Sequence, residues 1–156
     1  RRVLEIARAS IGEGHDNTGW YAFNLGYVLE RLGEEGEAEV YYRESLAILR
    51  RALPEGHYRT TTPMVALGDL LSRTGRSEEG ARLLGEALED RVAVGASPAD
   101  VADVESMLGA ALGRLGRTDE ARGLLEESLA ALEESAGADA PVTRRARARL
   151  EAFGAA

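Results

Sequence analysis

The chain has 156 residues, of which 44% are hydrophobic and 29% are charged, and this composition is typical of one folded domain rather than a disordered or collagen-like protein. It has no cysteine, and all 19 of its basic side chains are arginine, which excludes thiolate metal sites, cysteine nucleophiles and lysine-dependent sites. The net charge of −8 argues against direct nucleic acid binding, and the sequence has neither a signal-peptide core nor an apolar run that could span a membrane, so we expect a cytoplasmic protein.

One pattern recurs along the chain. Leu-Gly pairs stand at 25–26, 67–68 and 108–109, at intervals of 42 and 41 residues, and such a period is typical of stacked helical repeats. In each repeat an apolar stripe at helical spacing predicts a first helix, helix A, and a second stripe after a glycine predicts helix B. Within a single domain spanning 1–156, we expect the following units: a helix B at 1–11, full repeats at 16–51, 58–93 and 98–134, and a terminal helix A at 141–153. Because the chain lacks an initiator methionine and opens inside a repeat, we expect it to be a piece of a larger protein.

Glycines mark the predicted end of each helix A. Gly33, Gly75 and Gly116 suit the left-handed conformation that closes a helix. The carboxylates and hydroxyls that follow them suit the free amides at the start of helix B, so we expect these side chains to cap it. The core stripe expected in the first helix A consists of Leu25, Leu29 and Leu32.

Two prolines bear on where helix A begins. Ser97 before Pro98 fits an N-cap followed by proline in the first turn. Thr62 before Pro63 offers the same arrangement later in its repeat. We therefore expect the second helix A to begin late.

The sequence resembles the tetratricopeptide repeat family, whose pattern has Leu-Gly in helix A, then an alanine, an aromatic and a small residue in helix B. The alanine position holds Ala38, Gly80 and Ala121, the aromatic position Tyr42, Leu84 and Leu125, and the small position Ser45, Ala87 and Ser128. The long period and the Gly-His-x-x-Thr connections resemble the kinesin light chain type, and the lysine-free composition suggests a GC-rich bacterium. The resemblance implies an all-α, right-handed solenoid of antiparallel helix pairs, in which the A helices line a concave surface that binds peptides or partner helices.

Aromatic side chains give the first helix A a second apolar face. Trp20, Phe23 and Tyr27 fall within one narrow arc, roughly opposite the core stripe. The later repeats have smaller or more polar residues at the matching positions, which would leave room in a groove: Val65, Asp69, Ser106 and Ala110. Two interpretations stay open. The aromatics either anchor a ligand, whose backbone Asn24 would hold, or pack against a preceding helix A.

Arginines recur near the end of each helix A. Arg31, Arg73 and Arg114 form a ladder that could meet carboxylates on a peptide, although a cation at a helix C-terminus is also favoured by the helix dipole. The last helix is basic, and on a helical wheel Arg145 and Arg149 lie beside its apolar stripe. Only this pair could face the groove and meet acidic groups of a ligand, and the alternative for the whole cluster is a solvated helix face, which charge runs usually form.

The remaining polar residues are better explained by structural roles than by catalysis or metal binding. His15 and His57 are one repeat position seen twice, and no histidine, cysteine or carboxylate pattern predicts a metal or cofactor. The paired carboxylates stand where helix B begins, which favours capping over glycoside hydrolysis. No catalytic motif is present, so we do not expect an enzyme.

These features predict a non-catalytic scaffold that binds a protein or peptide partner on its concave face. A first alternative is a regulatory domain that senses an effector or peptide, because in bacteria such repeats resemble the C-terminal parts of regulatory ATPases and transcription regulators. A second is a module that forms homo-oligomers through its repeat ends. Contact with nucleic acid or membrane is not expected.

Overall fold

The computed structural model describes residues 1–155, which form eight α-helices and no strand. In chain order the helices are α1 (Arg2–Ile11), α2 (Asp16–Arg31), α3 (Glu35–Ala52), α4 (Tyr58–Arg73), α5 (Ser77–Ala93), α6 (Pro98–Arg114), α7 (Thr118–Ser135) and α8 (Pro141–Gly154). The all-α fold is therefore confirmed, with α2, α4, α6 and α8 as A helices and α1, α3, α5 and α7 as B helices.

The helices are arranged in two layers. The backbone of each of α2, α4 and α6 approaches that of the next A helix, whereas neighbouring B helices meet only through long side chains, as in the ion pair of Arg43 with Glu79. Consequently α2 lies in the groove between α3 and α4, α4 lies between α5 and α6, and α6 lies between α7 and α8. This order gives an α-solenoid in which each A helix packs on both helices that follow it.

The turns inside the repeats follow from three glycines with positive φ. Gly33, Gly75 and Gly116 have φ of 83°, 91° and 76°, as predicted. After each glycine an amide donates back to a carbonyl of helix A: Glu34 N to Leu29 O, Arg76 N to Leu71 O and Arg117 N to Leu112 O, at 2.9 to 3.0 Å. The predicted side-chain caps of helix B do not form, because the N-cap residues are Glu34, Arg76 and Arg117, none of which makes a side-chain cap hydrogen bond, and Ser77 and Thr118 are already the first helical residues. The acidic residues in the first turns still lie where the helix dipole favours them.

The second helix A does not begin late. α4 begins at Tyr58, because Nδ1 of His57 accepts a hydrogen bond of 3.1 Å from the Arg59 amide and caps the helix there. His15 caps α2 in the same way, through the Asn17 amide. Pro63 therefore lies inside α4. The predicted cap at Ser97 is confirmed by its bond from the Asp100 amide.

The core consists mainly of leucine and alanine from both layers, in a larger cluster between residues 29 and 111 and a smaller one formed by Ala102, Leu132 and Ala146. One expected core residue, Leu32, lies outside it and is 71% exposed. The reason is local, since α2 ends at Arg31 and Leu32 is the C-cap residue, turned away from the stripe of Leu29.

Glycine allows the two helices of each repeat to approach closely. A Cβ at Gly26 would lie 2.8 Å from a ring carbon of Tyr42, and the same position in the next repeats is equally crowded, with Cβ distances of 2.9 Å at Gly68 and 3.0 Å at Gly109. Such contacts leave no room for a side chain.

The last A helix lacks this feature. Its register is fixed by Thr143, which donates to the carbonyl of Gly137, just as Thr18 in α2 donates to that of Gly12. In this register α8 has Glu151 at the position of Gly26, and Glu151 is exposed. α8 therefore presents a charged surface where the other A helices pack on a helix B.

Candidate functional site

The aromatic side chains of α2 form a continuous row on the exposed side of the A layer. The ring centroids of Trp20 and Phe23 are 5.0 Å apart and those of Phe23 and Tyr27 are 6.5 Å apart. Trp20 and Phe23 are partly buried, Tyr27 is 52% exposed, and Asn24 beside them is exposed. The row therefore combines fixed rings with an accessible phenol and a polar amide.

The row continues onto α4 through a residue that the sequence analysis missed. The ring of Tyr58 meets that of Trp20 edge-on with centroids 6.2 Å apart, stacks on His57 at 4.9 Å, and is 64% exposed. Arg59 places its guanidinium 5.2 Å from the centroid of the Trp20 ring, which adds a cation–π contact. The repeated histidine connection could have pointed to Tyr58, but the expected late start of α4 placed this residue in a loop.

The contacts of Phe23 show what holds the aromatic row in place. Phe23 stacks on Tyr42, a fully buried residue of α3, with ring centroids 5.8 Å apart. Trp20 packs on Tyr58 and Arg59 of α4, as described above. Both supports come from helices that follow α2 in the chain.

Below the row, one arginine of the ladder is fully occupied by carboxylates. Arg73 pairs with Glu30 of α2, with Glu35 at 3.1 Å and with Asp69 at 3.0 Å. Glu30 also accepts a hydrogen bond of 2.6 Å from the hydroxyl of Tyr42. Burial, and next the hydrogen bond to Glu30, raise the pKa of the Tyr42 phenol far above its ordinary value, so it stays a donor. Arg73 thus joins α2 to α4 and is not available to a ligand.

The other two arginines of the ladder remain available. Arg31 is exposed and forms no ion pair with any residue between 1 and 155. Arg114 donates to the hydroxyl of Ser72 at 3.0 Å but meets no carboxylate within the same residues. The difference arises because Ser72 stands where Glu30 stands one repeat earlier.

The middle of the A layer is closely packed. Val65 and Ser106, which the sequence places on the binding surface, are both buried. Ala110 is partly buried, and the carboxylate of Asp69 is held by Arg73. A ligand here would therefore meet a shallow surface of small side chains rather than a deep pocket.

Two basic side chains of α8 reach α6 in the A layer, and another reaches α7 in the B layer. Arg149 donates to the hydroxyl of Ser106 at 2.6 Å and lies 3.4 Å from the carboxylate of Asp103. Arg145 lies 3.8 Å from the same carboxylate and is largely exposed. Arg147 instead reaches Glu133 of α7 at 2.7 Å. Arg149 therefore fixes α8 to α6, and Arg145 is the more accessible cation of the pair.

Outside the aromatic row, the described residues offer polar side chains and a cleft as further candidates. Among the residues up to 155, no three acidic or histidine side chains converge as a metal site would require. Within the same range, no helix has the length and hydrophobicity to cross a membrane. A cleft of about 440 Å³ lies on the B side, but Arg8 and Glu44 in its lining already form an ion pair at 2.5 Å. The aromatic row with its accessible arginines is thus the candidate site.

Comparison with protein-family models gives three matches, each to a tetratricopeptide repeat. They cover residues 1–51, 62–86 and 105–141, which together make up more than half of the chain. No curated protein sequence matches this chain closely enough to be counted as a relative.

Solved structures have the same fold at low sequence identity. A single-residue variant of a Podosopora anserina protein with nearly identical TPR-like repeats, described as a kinesin light chain, has a TM-score of 0.79 and 18% identity over 97% of this chain and 72% of its own. BtubC (BKLC) from P. vanneervenii has a TM-score of 0.74 and 22% identity over 95% of this chain, which spans 54% of that protein. The N-terminal domain of stress-induced protein-1 from C. elegans has a TM-score of 0.60 and 13% identity over 86% of this chain and 95% of its own.

Proposed function

Because the chain belongs to the tetratricopeptide repeat family, with long repeats like those of kinesin light chains, we propose that it binds a peptide or helix of another protein on its A-helix surface. This surface comprises the aromatic row of Trp20, Phe23, Tyr27 and Tyr58, together with Asn24 and the accessible arginines. Repeats of this family indicate a protein–protein interaction scaffold. We propose that this surface carries out that role and that the protein is not an enzyme. A cytoplasmic location and a bacterial source stay predictions.

The observation that carries this proposal is the exposure of two tyrosines beside rings that are already fixed. Tyr27 and Tyr58 are more than half exposed, yet Tyr27 adjoins Phe23, which packs on the core, and Tyr58 adjoins Trp20, which packs on Phe23. Rigid aromatic side chains lose little conformational entropy on binding and often dominate recognition energy. The row is therefore suited to cover an apolar side chain of a ligand.

The polar groups define the rest of the ligand. The amide of Asn24 can both donate to and accept from a peptide backbone. Arg31, Arg114 and Arg145 can meet acidic groups, whereas Arg73 and Arg149 are engaged within the chain. We therefore expect a segment with an apolar residue near α2 and acidic residues toward either end.

Selection from a displayed library of random 16-residue peptides, with the 156-residue chain as bait, tests this proposal. Peptides that bind the unaltered chain are then titrated against a Tyr27→Ala, Tyr58→Ala variant. Both tyrosines are largely exposed, so the variant should fold, and we expect binding to weaken about tenfold or more, as for loss of a hot spot.

Tyr21→Ala is the matched control, because Tyr21 is a partly exposed tyrosine on a different face of α2. Its affinity for the selected peptides should equal that of the unaltered chain. Peptides that bind all three proteins equally would show that the aromatic row is not the binding site.

A further inference from the structure

Two neighbouring junctions of the array are held together by different forces. We name the contact of α2 and α3 with α4 and α5 the first junction, and the contact of α4 and α5 with α6 and α7 the second junction. Six ion pairs cross the first junction: Arg59 with Asp16, Arg73 with Glu30 and Glu35, Arg76 with Glu39, Arg43 with Glu79, and Arg50 with Glu86. Among residues 1–155, no ion pair crosses the second junction.

The sequence explains why the second junction lacks these pairs. At the positions of Arg43 and Arg50 of α3, the next B helix has Gly85 and Val92, which carry no charge toward α7. Ala81 stands where Glu39 stands one repeat earlier. Its loss leaves the counterpart of Arg76 without that partner, and this residue, Arg117, pairs instead with Glu120 of its own helix at 2.6 Å.

The outer edge of the first junction is open apart from its ion pairs. The backbones of α3 and α5 do not approach each other, and a cleft of about 230 Å³ lies between these helices. Leu46, Leu67 and Leu83 line the cleft together with the paired arginines. Charged side chains are therefore the contacts that hold α3 and α5 together across the outer edge.

The ion pairs at this edge form a network that solvent reaches. Glu39 accepts hydrogen bonds from Arg43 and from Arg76, and Arg43 also donates to Glu79 at 2.8 Å. The paired side chains on the outer edge are 22% to 43% exposed. Because they are partly exposed, dissolved salt should weaken their attraction.

The inner side of both junctions is apolar. Leu29 of α2 and Met64 of α4 belong to one buried cluster, which continues through Leu70 of α4 to Val104 and Ala111 of α6. Burial of apolar surface does not depend on attraction between charges, so salt should not weaken this packing. The A layer can therefore act as a hinge when the outer edge of the first junction loosens.

The aromatic row crosses the same hinge. Trp20 lies on α2, whereas Tyr58 and Arg59, which contact its ring, lie on α4. Any change in the angle between these helices must alter the contacts of Trp20.

We propose that the outer-edge ion pairs set the angle of the first junction, which opens as ionic strength rises and thereby rearranges the aromatic row, while the second junction stays fixed. This device does not depend on the function proposed for the row.

Spin labels on the B helices measure the opening. The chain has no cysteine, so cysteines can be introduced at Gly36, Glu78 and Asp119, which share one repeat position on α3, α5 and α7. All three residues are exposed, none forms an ion pair or lines the cleft, and a Cβ at Gly36 would meet no atom within 4 Å. Gly36→Cys with Glu78→Cys spans the first junction, and Glu78→Cys with Asp119→Cys spans the second as the matched control.

Distances between the labels are measured by double electron–electron resonance at increasing NaCl concentration. From about 0.01 M to about 1 M salt, the Debye length falls from ~30 Å to ~3 Å. Over this range we expect the 36–78 distance to increase by about 2 Å, the scale of helix shifts at interfaces. The 78–119 distance should stay constant.

A charge reversal tests the same step without salt. Arg50→Glu places two carboxylates at the outer edge, so the 36–78 distance should increase at low ionic strength. Adding Glu86→Arg restores an opposite pair and should return the distance to that of the unaltered chain. Circular dichroism of each variant shows that the helices are intact before distances are compared.

The fluorescence of Trp20 reports whether the opening reaches the aromatic row, because it is the single tryptophan of the chain. Its emission should change over the same salt range as the 36–78 distance. Arg50→Glu should produce that change at low salt, and adding Glu86→Arg should reverse it. Since residues 50 and 86 lie in the B layer, this response separates the change of angle from a direct effect of salt on Arg59.

Three results would overturn the proposal. A 36–78 distance that responds neither to salt nor to Arg50→Glu would show that apolar packing alone fixes the angle. Equal changes in the 36–78 and 78–119 distances would show a general response of the array to salt. A constant Trp20 emission while the 36–78 distance increases would show that the outer edge is not coupled to the aromatic row.

Discussion

α2 and α8 hold the same place in their repeats but are buried on different faces. On α2, Gly19 and Gly26 are buried against helix B, while Tyr21 and Val28 are exposed on the side toward a preceding repeat. On α8 the situation is reversed. Arg144 and Glu151 replace the two glycines and are exposed, while Ala146 is buried and Phe153 packs on Gly113 of α6.

The difference shows that each A helix carries two independent packing stripes. One stripe of small residues faces its own helix B, and one stripe of larger apolar residues faces the repeat before it. α4 and α6 bury both, whereas α2 and α8 each leave one of the two exposed. Because repeats contact only their neighbours, the same residue type should have very different effects at the centre and at an end.

The largest contrast is expected between Leu70 and Val28, which share one repeat position. Leu70 is 1% exposed, so Leu70→Ala should lower the free energy of unfolding by about 3 kcal/mol through lost burial and a cavity. Val28→Ala should change it by less than about 0.5 kcal/mol, because Val28 is already half exposed. Urea denaturation of both variants measures the contrast, and equal losses would show that Val28 is covered in solution.

A second contrast concerns the small-residue stripe. Gly26→Ala places a methyl group 2.8 Å from the Tyr42 ring and 3.1 Å from the Ala38 carbonyl, so we expect a loss of about 2 kcal/mol despite the better helix propensity of alanine. Glu151→Ala at the same position of α8 should stay within about 0.5 kcal/mol. Thermal or urea unfolding compares them. A costly Glu151→Ala would mean that α8 packs on a further element.

The sequence predicts the features of the fold that are determined locally. The repeat spacing, the helix types and the glycine turns all follow from short-range rules, and Gly33, Gly75 and Gly116 have the expected positive φ. Where a local rule fails, another interaction has prevailed. The histidine cap at His57 places the start of α4 before Pro63, although proline usually marks the first turn of a helix.

The candidate site is less predictable because it depends on contacts between repeats. The arginine ladder looks uniform in sequence, yet Arg73 is neutralised by Glu30 while Arg114 meets only Ser72, a difference that arises from the neighbouring helix. Tyr58 joins the aromatic row only because α4 packs beside α2. A helical wheel of a single helix shows neither contact, because each contact joins residues of two helices.

A third contrast lies at the N-termini of the A helices. His57→Ala removes the acceptor for the Arg59 amide and should cost about 1 kcal/mol, whereas His57→Ser should retain most of the stability. α8 has Ala140 as its N-cap, with extended backbone and no side-chain bond, so Ala140→Ser should add about 0.5 to 1 kcal/mol. Urea denaturation distinguishes these effects. Destabilisation by Ala140→Ser would show that residue 140 is not the N-cap of α8.

The smallest expected effect concerns Glu105 of α6, a helix that lies between α2 and α8 in the array. Its repeat position faces helix B and holds Ala22 in α2, Met64 in α4 and Arg147 in α8. Burial, and next the charge of Glu127, raise the pKa of the Glu105 carboxyl above its ordinary value. A carboxyl whose pKa is raised in the folded state stabilises the fold while protonated, and this contribution is lost as the pH rises through the folded-state pKa.

Glu105→Gln should therefore stabilise the chain at neutral pH by less than about 1 kcal/mol, since the site is partly solvated. The gain should vanish below the unfolded-state pKa of a glutamate, because both side chains are then neutral. Urea denaturation of both proteins at several pH values from about 4 to about 7, a range that begins near the ordinary pKa of a glutamate, measures this dependence. The exposed neighbour provides the control: Glu127→Gln should give part of the same gain, and the double variant should gain less than the sum of the two. A gain in stability that does not depend on pH would show that Glu105→Gln acts through packing and not through removal of the carboxylate charge.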